Sequence, residues 1–126
     1  MQGWYAMDDG LKLAARVLMA GLFVAGTAQK LLQPGVVEAM LAGIGMPGWL
    51  IWPALALNAL GAAALLLGVV VRPVALVLAA YCGVTSIFHF IPGDGWQMSI
   101  FIKNWAIAGG LLALAAAGPG RFALGK

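Results

Sequence analysis

The chain has 126 residues, 63% of them hydrophobic and only 9% charged. A soluble domain carries about a quarter charged residues, so there is too little polar surface here to coat a water-facing globule, and lipid must be the solvent for much of the exterior. The net charge of +3 is spread too thinly to make a nucleic-acid surface, and a single cysteine, Cys82, excludes an internal disulfide or a CxxC thiol-exchange pair.

The first apolar stretch runs from Leu11 to Leu32 and stops at Gln33-Pro34-Gly35. Lys12 and Arg16 ahead of a run ending in Ala25-Gly26-Thr27-Ala28 imitate a signal peptide with a small-residue cleavage site. Removing it would leave three spans without their partner, so this span is expected to stay. Residues 36–44 then read as a short interfacial helix, with Val36, Val37, Met40, Leu41 and Ile44 on one side and Glu38 elsewhere. Met46-Pro47-Gly48 precedes a second span, 49–71. Arg72-Pro73 marks a tight turn into a third, 73–90, with Pro73 suited to a first helical turn. Pro92-Gly93-Asp94-Gly95 separates it from a fourth span, 98–117, which ends at Gly118-Pro119-Gly120. A bilayer-spanning helix needs about 20 mostly apolar residues, and an open strand would leave its backbone groups unpaired in lipid. The expected fold is therefore an all-α integral membrane four-helix bundle filling the chain as a single unit, with the lipid bilayer as its main partner.

Lys12, Arg16, Arg72, Arg121 and Lys126 fall on one side of this topology, and Lys30 and Lys103, with Glu38 and Asp94, on the other. The positive-inside rule then expects both termini in the cytoplasm of a bacterial inner membrane. Trp49, Trp52, Trp96 and Trp105 would sit toward the outer ends of spans two and four, and Trp4 and Tyr5 at the inner interface.

Charged groups inside a span are informative because each costs about 2.5–3.5 kcal/mol at the helix centre on insertion scales. Arg16, Ala20, Phe23, Thr27 and Lys30 lie on one face of the first span. Asn58 lies in the second. Cys82, Thr85 and His89 share a face of the third, and Lys103-Asn104 lie a turn or so into the fourth. Lys30, Asn58, His89, Lys103 and Asn104 all fall in the outer half of the bilayer, which suggests one polar ligand-binding pocket opening outward. Glu38 and Asp94 are the acids placed to fold over its mouth. No metal-ligand set is legible. The bland alternatives are snorkelling for the lysines, interhelical hydrogen bonding for Asn58, an interfacial role for His89, and an anchor or structural pair for Arg16. Small pairs, Gly21 with Ala25, Ala64 with Gly68 and Ala106 with Gly110, suit tight packing but are frequent by chance in so Ala- and Gly-rich a chain.

Arg16 followed by Gly21, Phe23, Gly26 and Lys30-Leu31 resembles the first-helix pattern of the DoxX family. So do Gly45-Met46-Pro47 before the second helix, Leu60-Gly61 through Leu67-Gly68 and Arg72, His89 closing the third helix, and Phe101, Lys103-Asn104, Gly109-Gly110 and Gly118-Pro119-Gly120-Arg121 at the end. One departure stands out. Asn58 occupies a position where the family often has glutamate, which removes a counter-ion for the lysines. The resemblance implies a four-helix membrane protein tied to redox pathways: a subunit of a thiosulfate:quinone oxidoreductase, quinone or thiol stress, methylamine oxidation, and cargo export in a related eukaryotic group. It implies a membrane subunit or accessory factor of a quinone-linked system, with quinone as the cofactor-like ligand and another protein subunit as partner. Two other readings stay open, an anchor for a soluble partner and a small-molecule transporter. Catalysis by the chain itself also stays open.

Overall fold

The computed structural model describes residues 2–125, with side chains from residue 7 onward. The side chains of Trp4 and Tyr5, and Lys126 altogether, lie outside the described residues. The helices are α1 (Gln2–Leu32), α2 (Pro34–Gly43), α3 (Ile51–Leu67), α4 (Val71–Thr85) and α5 (Gly95–Ala117). A single 3-10 turn at Gly48–Leu50 leads into α3, and another at Ser86–His89 prolongs α4. Among the described residues, four segments are long and apolar enough to cross a membrane: Met7–Leu32, Gly48–Leu67, Val71–His89 and Gly95–Ala117. The protein is an all-α integral membrane four-helix bundle.

The helix ends follow local chemistry. Pro34 cannot continue α1 and instead starts α2, where its missing N–H costs nothing. Gly45, with φ +75°, lets the N–H of Met46 reach back to the Leu41 carbonyl at 2.9 Å and closes α2. Asp94 caps α5 by accepting from the backbone N–H groups of Trp96 and Gln97. The turn between α3 and α4 falls at Gly68–Val70, earlier than the Arg72-Pro73 step suggests. Gly68 takes φ +75°, and its N–H and that of Val69 both reach the Ala64 carbonyl, at 2.8 and 3.0 Å. Pro73 then sits in the first turn of α4.

In lipid the helices gain nothing from hiding apolar surface from water, so close packing must hold them. α1 packs chiefly on α3 and α4 on α5, while α3–α4 and α1–α5 contacts close the ring. Ala20, Phe23, Leu65, Ala75, Leu78 and Leu111 form its centre. Small residues set the closest approaches. A β-carbon on Gly61 would stand 2.9 Å from Leu78 Cδ2, and one on Gly110 would stand 2.5 Å from Met19 Cε. Gly21 instead faces open space. Trp105 packs its ring against Gly83 and Phe101. It lies about 15 Å along α5 from Gly95 at 1.5 Å per residue, well below the level of Trp49, Trp52 and Trp96.

The start of α1 and the end of α5 lie at one end of the bundle, and residues 118–125 fold across it as a strap. The N–H groups of Leu124 and Gly125 donate to the carbonyls of Leu67 and Gly68, at 2.9 and 3.2 Å. Arg16, only 1% exposed, donates from Nη2 to the Phe122 carbonyl at 2.6 Å and from Nη1 to Pro119 at 3.5 Å. The Arg121 N–H donates to Asp9 Oδ1 at 3.1 Å. Arg16 is thus a structural anchor for the tail. α2, the Gly48–Leu50 turn and the 90–94 loop occupy the far end.

Candidate functional site

At the far end the bundle encloses a cavity of about 480 Å³. Gln29 and Lys30 come to it from the end of α1. Val36, Val37, Met40 and Leu41 come from the inner face of α2, and Leu50, Ile51 and Ala54 from the start of α3. Tyr81, Val84 and Thr85 line it from α4 and Ile87, Phe88 and His89 from the turn beyond, with Gln97 and Ile100 from α5. Most of the lining is aliphatic, with a few polar groups gathered on it, the usual make-up of a small-molecule site.

Two hydrogen-bonded pairs organise the polar part. Lys30 is 7% exposed, and its ammonium donates to Asn58 Oδ1 at 2.7 Å. Asn58, 2% exposed, stands behind the cavity wall rather than in it. Gly26 makes room for this pair. A β-carbon there would meet Asn58 Oδ1 at 3.0 Å and the lysine nitrogen at 3.8 Å. Tyr81 also approaches the Asn58 side chain. On the other wall His89 Nδ1 lies 2.7 Å from Gln97 Oε1. With that carbonyl oxygen accepting, Nδ1 carries the proton and Nε2 is left as an acceptor.

Of the five residues expected to converge, Lys30 and His89 line this cavity, Asn58 stands behind its wall bonded to Lys30, and Lys103 and Asn104 lie off its lining. Lys103 is exposed on the outside of α5. Asn104 is half-buried one turn beyond Ile100, deeper along α5 than the cavity reaches. A shared depth did not mean a shared face: α5 turns Gln97 and Ile100 to the cavity and Lys103 away. Neither acid covers the mouth. Asp94 is committed to capping α5, and exposed Glu38 lies against Gly48. Among the described residues, no acid lines the cavity.

Tyr81 and Gln97 are the residues the sequence reading missed. Tyr81, Thr85 and His89 recur at steps of four along one stripe, a spacing legible in advance, whereas Cys82, read onto that stripe, turns to the core. Gln97 meets His89 only through the 90–94 turn, and no local pattern announces that. Among the described residues, no cluster of His, Cys, Asp and Glu is placed to hold a metal ion.

Comparison with known proteins agrees with this architecture. The DoxX family profile matches residues 11–90, which run from within α1 to the end of the third span. The chain is 31% identical over 121 residues to inner membrane protein YqjF of Escherichia coli (strain K12), covering 95% of this chain and 93% of that protein. No solved structure matches. The protein is a multi-pass bacterial inner-membrane protein, embedded in the lipid bilayer, and it belongs to the DoxX family.

Proposed function

We propose that the far-end cavity binds a lipid-soluble molecule bearing carbonyl or anionic oxygens, a quinone headgroup above all. The protein then serves as a membrane subunit or accessory factor of a quinone-linked redox or redox-stress system. The observation that carries this is Lys30, a buried ammonium whose partner is an amide and not a carboxylate. Asn58 orients the charge without neutralising it, so the lysine keeps donors for an incoming oxygen. His89 complements it: with Nδ1 bonded to Gln97, Nε2 can accept from the hydroxyl of a reduced, quinol-like form. With one cysteine and one histidine in the sequence, the chain offers neither a CxxC pair for thiol exchange nor a two-histidine haem site, and electrons reach the ligand from a partner.

The charge distribution supports an orientation with both termini in the cytoplasm. Lys12, Arg16, Arg72 and Arg121 gather at the terminal end, against Lys30 and Lys103 with Glu38 and Asp94 at the other. The cavity then lies in the outer leaflet. A second reading, a membrane anchor for a protein subunit, draws on Lys103, a cation on the outer face of α5 with no role in the cavity.

Purification in mild detergent, followed by mass spectrometry of everything that accompanies the protein, tests these readings. A stoichiometric quinone supports the first. A copurified subunit with no small molecule moves the conclusion to the second, and ligand-dependent flux in liposomes would make the cavity a transport site.

A further inference from the structure

Sorting the cavity lining by exposure separates it into a floor and a mouth. The polar groups Lys30, Tyr81, Thr85, His89 and Gln97 are all buried or half-buried. Apart from Gln29, at the end of α1, the exposed lining residues are aliphatic: Val36, Met46, Val84 and Ile87. Val84 is 64% exposed and Ile87 53%. Gln29 apart, the exposed part of the lining is therefore greasy, and the polar groups stand inside it among aliphatic neighbours.

The helix arrangement puts this opening on the side of the bundle. α2 packs on α1, α3 and the Gly48–Leu50 turn, while α4 packs on α3 and α5, and no substantial packing joins α2 to α4. Val36 borders the gap from the α2 side, and Val84 and Ile87 border it from the α4 side. Val84 lies five residues before His89, within α4 and ahead of the 3-10 turn that ends the span. In a bilayer crossed by the Val71–His89 span, a gap at that depth would face hydrocarbon.

We infer that the cavity opens sideways into the membrane through a portal between α2 and α4, and that its ligand is a single-tailed amphiphile whose head reaches Lys30 while its tail stays in the bilayer. This rests on the reading of the cavity as a ligand site and adds the ligand's shape and its route. A gap walled by Val36, Val84 and Ile87 offers no hydrogen bonds to water, so a small hydrophilic metabolite cannot cross it without stripping its hydration. An alkyl tail meets no such barrier, because it exchanges one apolar surface for another. The volume agrees. About 480 Å³ lies toward the lower end of the range of about 300–1,000 Å³ for ligand pockets, enough for a ring-sized head but not for a long tail folded in behind it.

The test uses the full chain in phosphatidylcholine–phosphatidylglycerol vesicles with two probes: a decyl-tailed benzoquinone carrying a photoreactive group on the tail, and the tail-less parent quinone. The tailed probe should crosslink to α2 and α4 around Val36, Val84 and Ile87. Val84→Trp with Ile87→Trp should slow its association by about tenfold or more and leave the tail-less probe unchanged. Val84→Ala, a truncation at a lipid-facing position, should speed it and covers the case in which the double tryptophan variant does not fold. Lys30→Met should weaken both probes alike. Crosslinks confined to other faces, or portal variants that treat the two probes identically, overturn the portal while leaving the cavity as the site. Full binding by Lys30→Met, or no binding of either probe to the unmodified protein, overturns the cavity reading and the portal with it.

Discussion

Gly26 on α1 faces Asn58 on α3 so closely that a β-carbon would stand 3.0 Å from the amide oxygen. That oxygen is also the acceptor of the Lys30 ammonium. A bare backbone on one helix thus fixes where a cation on the same helix, one turn later, meets its partner on another. Gly26→Val should push Asn58 aside and lengthen or break the pair. Any gain in helix propensity over glycine is under about 1 kcal/mol, so the variant should lose thermal stability in detergent and bind quinone probes more weakly. Unchanged stability and binding would show that the α1–α3 approach is looser than the geometry indicates.

Asn58 tests charge against hydrogen bonding. Asn58→Leu removes the acceptor and leaves a buried ammonium, at a cost of about 1.5–3 kcal/mol for a hydrogen bond to a charged group. Asn58→Glu supplies a carboxylate instead. It should restore or raise stability while weakening anionic or carbonyl ligands, because the cavity's positive charge is then neutralised. Thermal unfolding and ligand titration on the two variants should move in opposite senses for glutamate and together for leucine.

His89→Leu and Gln97→Leu remove the two halves of one hydrogen bond. Each alone should weaken binding of the reduced, quinol form more than the oxidised form. The double variant should lose little beyond either single one, the non-additivity expected of residues in contact. Additive losses would mean that the two side chains act separately.

The strap makes a prediction at the other end. Arg16→Met deletes the donors to Phe122 and Pro119. Gly68→Ala forces a β-carbon into a left-handed conformation, worth about 1–2 kcal/mol of strain, and drives it into the Arg16 guanidinium and Ala123. Both variants should speed amide hydrogen exchange across residues 120–125 while leaving the proposed ligand binding at the far end unchanged. Exchange unchanged from the parent would show that the Leu67 and Gly68 carbonyls hold the strap alone.

Orientation is open to direct measurement. In a Cys82→Ala background, cysteines placed at Asp8 and at Gly120 should be shielded from a membrane-impermeant maleimide in intact cells, and one at Gly93 should react. Labelling at Asp8 or Gly120 would invert the proposed topology and place the cavity in the cytoplasmic leaflet.

The spans and their breaks were legible because hydropathy and Pro/Gly punctuation are local properties. Pro34 and Asp94 act where they stand. The Lys30–Asn58 pair was half legible: both residues were singled out by polarity and depth, but the loss of glutamate at Asn58 read as the loss of a partner, when the amide serves as one. Lys103 misled because depth along a span is written in the sequence, whereas rotation about the helix axis is set by neighbours. α5 is apolar nearly all round, so no polar stripe declares which side faces the cavity. Gln97 and the strap were illegible for a different reason. Their partners, His89, Arg16, Leu67 and Gly68, are fixed by how the helices assemble and not by any run of residues.

The strap also imposes an order on assembly. Arg16 enters the membrane with the first span, but the carbonyls that receive its guanidinium belong to residues made after all four spans. Until then the arginine lacks both of these acceptors. The terminal end of the ring therefore stays unlatched until Pro119 and Phe122 arrive, and a nascent chain halted before them would hold its first helix by its packing on α3 and the Lys30–Asn58 pair, without the tail's anchor.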